Sequence, residues 1–328
     1  MGVSGRRSLL LRAAAFPSAC AAQGAAAPLG RPIALQAPPG ARLEPLGGLV
    51  LDDAALGFGG LSGLHLSADL QVTAVSDLAR WMTARLALRE DGRPAGLEGL
   101  RTGPLRDGAG RPLPRGYSGD SEALARLPDG TWLVGFERWH RIRAYRSLDG
   151  PGAYVEAPRG LERAPFNGGV ESLAVLADGR WLLVAELFAV PAAAAAAAAG
   201  ARPLRQAWLG RPGGWATLAY RPAEGMDPVD AAPLPDGGAL VLERGFSVLG
   251  GFAGRVVRLT PTALDRARDG TVLEGEELLR LDPPLPSDNF EGIAAARVGG
   301  RALVAIVSDD NENPLQRTLL LLFALSDD

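Results

Sequence analysis

Acidic side chains recur at matching places along a series of short apolar stretches. Glu122 and Glu137 flank an Asp-Gly pair at 129–130, Glu171 and Glu186 flank another at 178–179, and Asp230 and Glu243 flank a third at 236–237. Asp77 ends the first such stretch, and Glu291 and Asp309 bracket the last. Read as two-residue hairpin turns, the Asp-Gly pairs set each of the three acid pairs face to face, with Cβ atoms roughly 5 Å apart. The same count puts Ser62 opposite Asp77, and Glu291 opposite Ser308 or Asp310. Like charges facing across a sheet repel, so the pairs require protonation, an arginine or a bound cation. Oxygen-only ligands suit a hard cation, Ca²⁺ before Mg²⁺, because Ca²⁺ accepts more ligands in looser geometry. The expected ligands are Asp77, Glu122, Glu137, Glu171, Glu186, Asp230, Glu243, Glu291 and Asp309. Arg138, Arg141, Arg143 and Arg244 follow acidic strand ends. Arginine beside a cation suits a phosphate or carboxylate group, and Arg138 and Arg244 are the expected contacts to a small phosphorylated substrate. Metal-assisted attack of water on a phosphate ester needs neither a serine nor a histidine nucleophile.

Scarce residue types narrow the alternatives. The 328-residue chain has no lysine, so its 34 basic residues are all arginine, which removes Schiff-base and P-loop chemistry. Two histidines, His65 and His140, and one cysteine, Cys20, are too few for a zinc site or an intrachain disulfide. Gly60-Leu61-Ser62-Gly63 lacks the spacing of a nucleophile elbow. A formal charge of −3 without a basic run argues against a nucleic-acid partner.

The elements that must position the acids form an internal repeat. Units begin near residues 62, 122, 171, 230 and 291, each an apolar strand, a turn and a second apolar strand. Further strand candidates lie between them at 141–146, 153–157, 216–221 and 255–260. Four strands per unit repeated around a ring predict an all-β fold, a β-propeller of five or six four-stranded blades. The same ends of the inner hairpins would then meet at one mouth of the central channel. Residues 46–51 and the run TLLLLFAL at 318–325 are expected to pair, joining the two ends of the chain and removing an exposed edge. A β-sandwich or a pair of β domains is the rival fold. Ala192–Ala199 reads as a low-complexity loop insertion.

Paired arginines at Arg6-Arg7, followed by Leu9-Leu10-Leu11 and an alanine-rich stretch, resemble a twin-arginine export signal over 1–27. Residues 28–45 are expected as a linker and 46–328 as the folded domain. No later segment is long and apolar enough to span a bilayer. The reading is a periplasmic or secreted monomer.

Several runs resemble the phytase-like domain family, whose members are labelled as having esterase-like activity of the phytase family. These are Gly60-Leu61-Ser62-Gly63-Leu64, Val75-Ser76-Asp77, Gly119-Asp120-Ser121-Glu122-Ala123-Leu124, Gly169-Val170-Glu171-Ser172-Leu173-Ala174, Asp288-Asn289-Phe290-Glu291-Gly292-Ile293-Ala294 and Ser308-Asp309-Asp310-Asn311. The resemblance covers about residues 46–328 and implies a β-propeller. By distant kinship it also implies the calcium-dependent alkaline phytases, which hydrolyse phosphomonoesters at a channel-mouth metal cluster. The chain departs from them in lacking a D-A-x-D-D-P-A run and any lysine, which disfavours phytate as substrate. A non-catalytic ligand- or partner-binding propeller, with structural calcium or none, is the alternative. A carboxylesterase lacks a visible Ser/His/Asp arrangement.

Overall fold

Strand follows strand with short turns along almost the whole chain, in a computed structural model that describes Met1 and residues 28–190, 203–311, 313 and 316–326. The expected export signal and the Ala192–Ala199 insertion lie outside the described residues. Five sheets, antiparallel apart from one short edge strand, form the five blades of a propeller. In the first, β3 (Leu61–Leu66), β4 (Gln71–Ser76), β5 (Arg80–Leu88) and β6 (Pro94–Pro104) pair in sequence order. The second holds β7 (Ser121–Arg126), β8 (Trp132–Phe136), β9 (Arg141–Tyr145) and β10 (Ala153–Val155). The third holds β11 (Val170–Val175), β12 (Trp181–Ala189), β13 (Arg205–Arg211) and β14 (Gly214–Tyr220), edged by the short parallel β18 (Val272–Leu273). The fourth holds β15 (Asp227–Pro233), β16 (Ala239–Ser247), β17 (Gly251–Leu259) and β19 (Glu276–Arg280).

The fifth blade joins the chain ends. β20 (Asn289–Val298), β21 (Arg301–Asp309) and β22 (Leu319–Leu325) are followed in the sheet by β2 (Leu43–Val50), which pairs antiparallel with β22 through Val50 and Leu319. The pairing expected between the N-terminal strand and TLLLLFAL is present. Residues 28–45, expected as a linker, carry two stretches that pair with the sheets, with 34–42 between them outside any strand. β1 (Arg31–Ile33) pairs with β2, Leu29 bridges Leu97, and Leu43 is fully buried within β2. An apolar patch such as Leu29 and Leu43 on an otherwise turn-rich stretch is enough to hold it to a sheet.

Apolar residues alternate on both faces of the middle strands, and the core is correspondingly divided into layers between blades. One layer joins the first and fifth blades through Leu64, Met82, Leu86, Val307 and Leu322. Another joins the second and third through Leu133, Ile142, Leu173 and Trp208. Burying both faces of each sheet explains the nearly continuous hydrophobic runs of β4, β8, β12, β16 and β21.

The inner strands β3, β7, β11, β15 and β20 each touch the next around a closed circuit. Glycine makes that approach close enough. A Cβ on Gly292 would lie 2.1 Å from the Ser62 carbonyl oxygen, and one on Gly63 would lie 2.5 Å from the Leu124 nitrogen. The upper ends of the five inner hairpins are therefore drawn together around a narrow channel.

Candidate metal centre

The turns are one residue longer than the two-residue reading requires. Leu127 N–H donates to the Thr131 carbonyl at 2.8 Å, Gly130 N–H donates to the Leu127 carbonyl at 2.9 Å, and Gly130 has φ +88°. This is a three-residue loop, with a left-handed glycine after the turn. The loops ending at Gly179 and Gly237 repeat it, and Leu70 takes the same place with φ +65°. Only the fifth hairpin, at Gly299-Gly300, has a two-residue turn.

A second departure follows further up each hairpin. The inner strands carry a register shift between Leu61 and Leu64, Ser121 and Ala123, Val170 and Ser172, Pro228 and Asp230, and Phe290 and Gly292. Glu122, Glu171 and Glu291 are therefore the extra residues of β-bulges and face no partner across the sheet. Glu122 does not oppose Glu137, nor Glu171 oppose Glu186, as the shorter turn implied. Beyond the bulges, the residues opposite are Gly60 for Asp77, Asp120 for Glu137, Gly169 for Glu186, Asp227 for Arg244, and Asn289 for Asp309. The second strands of the five hairpins thus place, at or just beyond one equivalent register position, Asp77, Glu137, Glu186, Arg244 and Asp309. Four blades supply a carboxylate there and the fourth blade supplies a guanidinium.

Bulging re-aims the acids toward one another. Carboxylate oxygens of Asp120, Glu122 and Glu137 lie within 4.8 Å of one another, and so do those of Glu137, Glu171 and Glu186. Glu137 belongs to both groups, and its Oε1 also accepts from the Gly169 N–H at 3.2 Å, tying the second blade to the third. Arg244 donates to Glu186 at 2.8 Å and also to Glu291 and Asn289. Arg138, held at φ +55°, pairs with Asp120 at 2.7 Å. A non-glycine residue held there stores backbone strain, which is typical of functional rims.

Two guanidiniums do not balance this many acids, and protons make up part of the difference. Burial, then Glu137, pushes Asp120 up to about 6 against the pull of Arg138. Burial pushes Glu291 up to about 7 although Arg244 opposes it, and pushes Asp309 up to about 8 although the Asn311 N–H opposes it. Glu122 and Glu171 are raised well above the usual carboxylate range by burial and by neighbouring acids. Glu137 is also raised, burial outweighing its backbone hydrogen bonds. Buried, oxygen-rich and short of cations, the two groups have the donor chemistry of a hard divalent ion.

Two of the expected ligands do other work. Asp230 is fully buried below the mouth, where it accepts from the Ile293 and Ala231 N–H groups, each at 2.8 Å, linking the fourth blade to the fifth. Glu243 lies across from Pro228 and away from the acid groups. It is clamped by Arg255 at 2.7 and 2.9 Å, by the Ala223 N–H at 2.9 Å and by the Tyr220 hydroxyl. The bulge sits at Val229, one residue before Asp230, so Asp227 and Arg244 occupy the positions that the acid pair was expected to hold. Arg244, expected as a substrate contact, is the internal counter-charge. Sequence reasoning missed Asp120 and Asn289 as members of the site, because no spacing in the sequence announces the bulge that places them.

Beside Arg244 opens a cavity of ≈ 360 Å³, lined by Glu186, Asp227, Asn289 and Asn311 on its polar side and by Phe246 and Phe252 on the other. His65 stands at the opposite end of the channel, edge-on to Trp132 at 5.0 Å, and burial lowers it to about 4. His140 is held by the Pro165 carbonyl at 2.9 Å.

A family model described as "Phytase-like: Esterase-like activity of phytase" matches residues 56–312. No curated protein matches the chain. Among solved structures, the chain is similar to a GH43_1 enzyme from Xanthomonas citri at 9% identity, covering 88% of this chain and 92% of that one with a TM-score of 0.48. It is also similar to a thermostable family-43 glycoside hydrolase at 10% identity, covering 83% and 91% with a TM-score of 0.47. A catalytically inactive virginiamycin B lyase from Staphylococcus aureus matches at 10% identity, covering 89% and 80% with a TM-score of 0.37.

Proposed function

The chain belongs to the phytase-like family, and from that membership and the acid-lined mouth we propose a Ca²⁺-dependent hydrolase of small phosphate esters. The observation that carries the reading is the pair of carboxylate groups that share Glu137. Asp120, Glu122 and Glu137 would hold one ion, and Glu137, Glu171 and Glu186 another. Calcium would supply positive charge that screens a phosphate ester and acidifies water, so that water can serve as the nucleophile.

The chain's own residues then set the approach. Arg138, about one-third exposed, stands at the rim, where it can bind phosphate oxygens. Arg244 holds Glu186 and Glu291 in place through charge-assisted hydrogen bonds and opposes, without overcoming, the effect of burial on Glu291. The cavity beside Arg244 has room for the alcohol part of a small ester. The raised carboxyls beside it, Glu291 and Asp309, are able to hold a proton near neutral pH. Export through residues 1–27 to the periplasm or medium, as a monomer, completes the proposal.

The direct test is turnover of a panel of phosphomonoesters by purified protein, with calcium and with chelator. Calcium-dependent release of phosphate that is lost in Glu137→Gln supports the reading, and its absence across the panel refutes it. One observation favours the non-catalytic alternative. Arg244 is already engaged by Glu186, Glu291 and Asn289, which leaves Arg138 as the freer guanidinium for a ligand.

A further inference from the structure

Four large aromatic side chains stand exposed on the second blade, beside the acid cluster. Tyr117, Tyr154 and Phe166 are each 58% exposed and Trp139 is 42% exposed. They form one continuous ledge. Tyr117 lies 6.3 Å from Trp139 with planes 7° apart and 6.2 Å from Phe166 with planes 19° apart, and Trp139 lies 6.0 Å from Tyr154. Contiguous exposed rings of this kind mark a binding surface more often than a solvent face.

Guanidiniums lie over three of the four rings. Arg141 sits 4.6 Å from the centre of Trp139, Arg143 sits 4.2 Å from Tyr154, and Arg138 sits 5.8 Å from Phe166. Arg141 and Arg143 are buried, 5% and 4% exposed, and among the described residues neither forms an ion pair. Their hydrogen bonds go to main-chain carbonyls, Arg141 to Trp139 and Ser118, and Arg143 to Gly152. Burial, then repulsion from Arg143, lowers Arg141 to about 10. Two neighbouring buried cations without counter-ions create a positive potential beneath the rings. A cationic ligand is repelled there, although bare aromatic faces would attract one. An electron-rich ring carrying a negative charge gains both stacking and charge attraction.

We infer that Tyr117, Trp139, Tyr154 and Phe166 form a stacking subsite for a planar aromatic ring that bears an anionic group, with aryl and nucleoside phosphates sharing that chemistry. Arg138 touches both this ledge and Asp120, so a ring on the ledge leaves its phosphate one side chain from the channel mouth. The link to turnover rests on the phosphoesterase reading, whereas the stacking site does not.

Binding is measured by calorimetry in chelator, so that no calcium-dependent hydrolysis intervenes. The probes are 1-naphthyl phosphate, adenosine 5′-monophosphate, methyl phosphate and uncharged 2-naphthol. Both aromatic phosphates, or the one whose ring fits, should bind at least about tenfold more tightly than methyl phosphate and than 2-naphthol. Trp139→Ala with Tyr117→Ala should lose about tenfold for the aromatic phosphate and leave methyl phosphate unchanged, while Trp139→Phe should retain most of the affinity. Equal binding of methyl and aromatic phosphates, or equal affinity in the wild type and the double variant, overturns the inference. Tight binding of 2-naphthol overturns its anionic part. Ring-dependent binding without hydrolysis of any ester would sink the enzymatic reading and leave this one standing, and ring-independent turnover would do the reverse.

Discussion

If the acid cluster holds protons in place of a cation, the calcium-free protein must lose stability as pH rises above neutrality. Burial raises Glu291 to about 7 and Asp309 to about 8, against ordinary values of 4.5 and 3.8. A carboxyl raised in the folded state contributes stability that is complete below its unfolded value and is lost as pH climbs through its folded value. His65, lowered by burial to about 4, has the opposite sign, but its stability is fully present above about pH 6.5. The window from pH 6.5 to 8 therefore isolates the carboxyls. Across it Asp309 goes from protonated to half-protonated in the folded chain while ionised in the unfolded one, which costs up to about 1.4 kcal/mol per pH unit, or about 1.6 kcal/mol in all. That corresponds to several degrees in Tm for a chain of this size. Thermal melts in chelator at pH 6.5, 7.2 and 8 should show the fall, and Asp309→Asn should make it shallower by its own share, the other raised carboxyls keeping the rest. Calcium requires ionised carboxylates, so the stabilisation it adds should be larger at pH 8 than at 6.5. A calcium-free Tm that is flat or rising over this window, with Asp309→Asn indistinguishable from wild type, would refute the assignment of protons to the cluster.

Glu137→Gln removes the carboxylate common to both groups; calorimetry should show calcium affinity reduced at least about tenfold, while melts in chelator show the apo protein no less stable, because a source of repulsion is gone. Glu243→Gln should do the opposite, leaving calcium binding intact but costing about 3–5 kcal/mol in denaturant unfolding, because Arg255 loses its buried partner. Arg244→Gln leaves Glu186 and Glu291 without their guanidinium, so the apo protein should be destabilised at pH 8 more than at pH 5, as read by melts at both values. Gly292→Ala drives a methyl into the Ser62 carbonyl and should cost about 1–3 kcal/mol while loosening the mouth, seen as weaker calcium binding.

The propeller was legible because its signals are local: apolar runs, turn glycines and a recurrence that survives divergence between units. The pairing of β2 with β22 was legible for the same reason, since two apolar strands at the chain ends had no other edge to cover. Register was not legible. Asp129-Gly130 is compatible with a two-residue turn and with a three-residue loop, and the choice moves every opposed residue by one. In the loop actually formed only glycine takes positive φ, and the aspartate serves the longer loop by accepting from the N–H two residues on, as Asp129 does from Thr131 at 2.9 Å. Bulges are less visible still, because Glu122, Glu171 and Glu291 look like ordinary alternating strand residues until neighbouring blades are in place. The fourth blade shows what this costs: its shorter arms carry the acids Asp230 and Glu243 at nearly the expected places, yet structure uses both as internal clamps and delivers Arg244 to the mouth. That substitution of a cation into an otherwise acidic ring has a physical consequence. With a fifth carboxylate at that position the ring would carry still more uncompensated charge, whereas Arg244 pairs with Glu186 and Glu291 and supplies part of the missing positive charge. The acids nearest Glu137 are thereby left as the ones whose charge a divalent ion would neutralise.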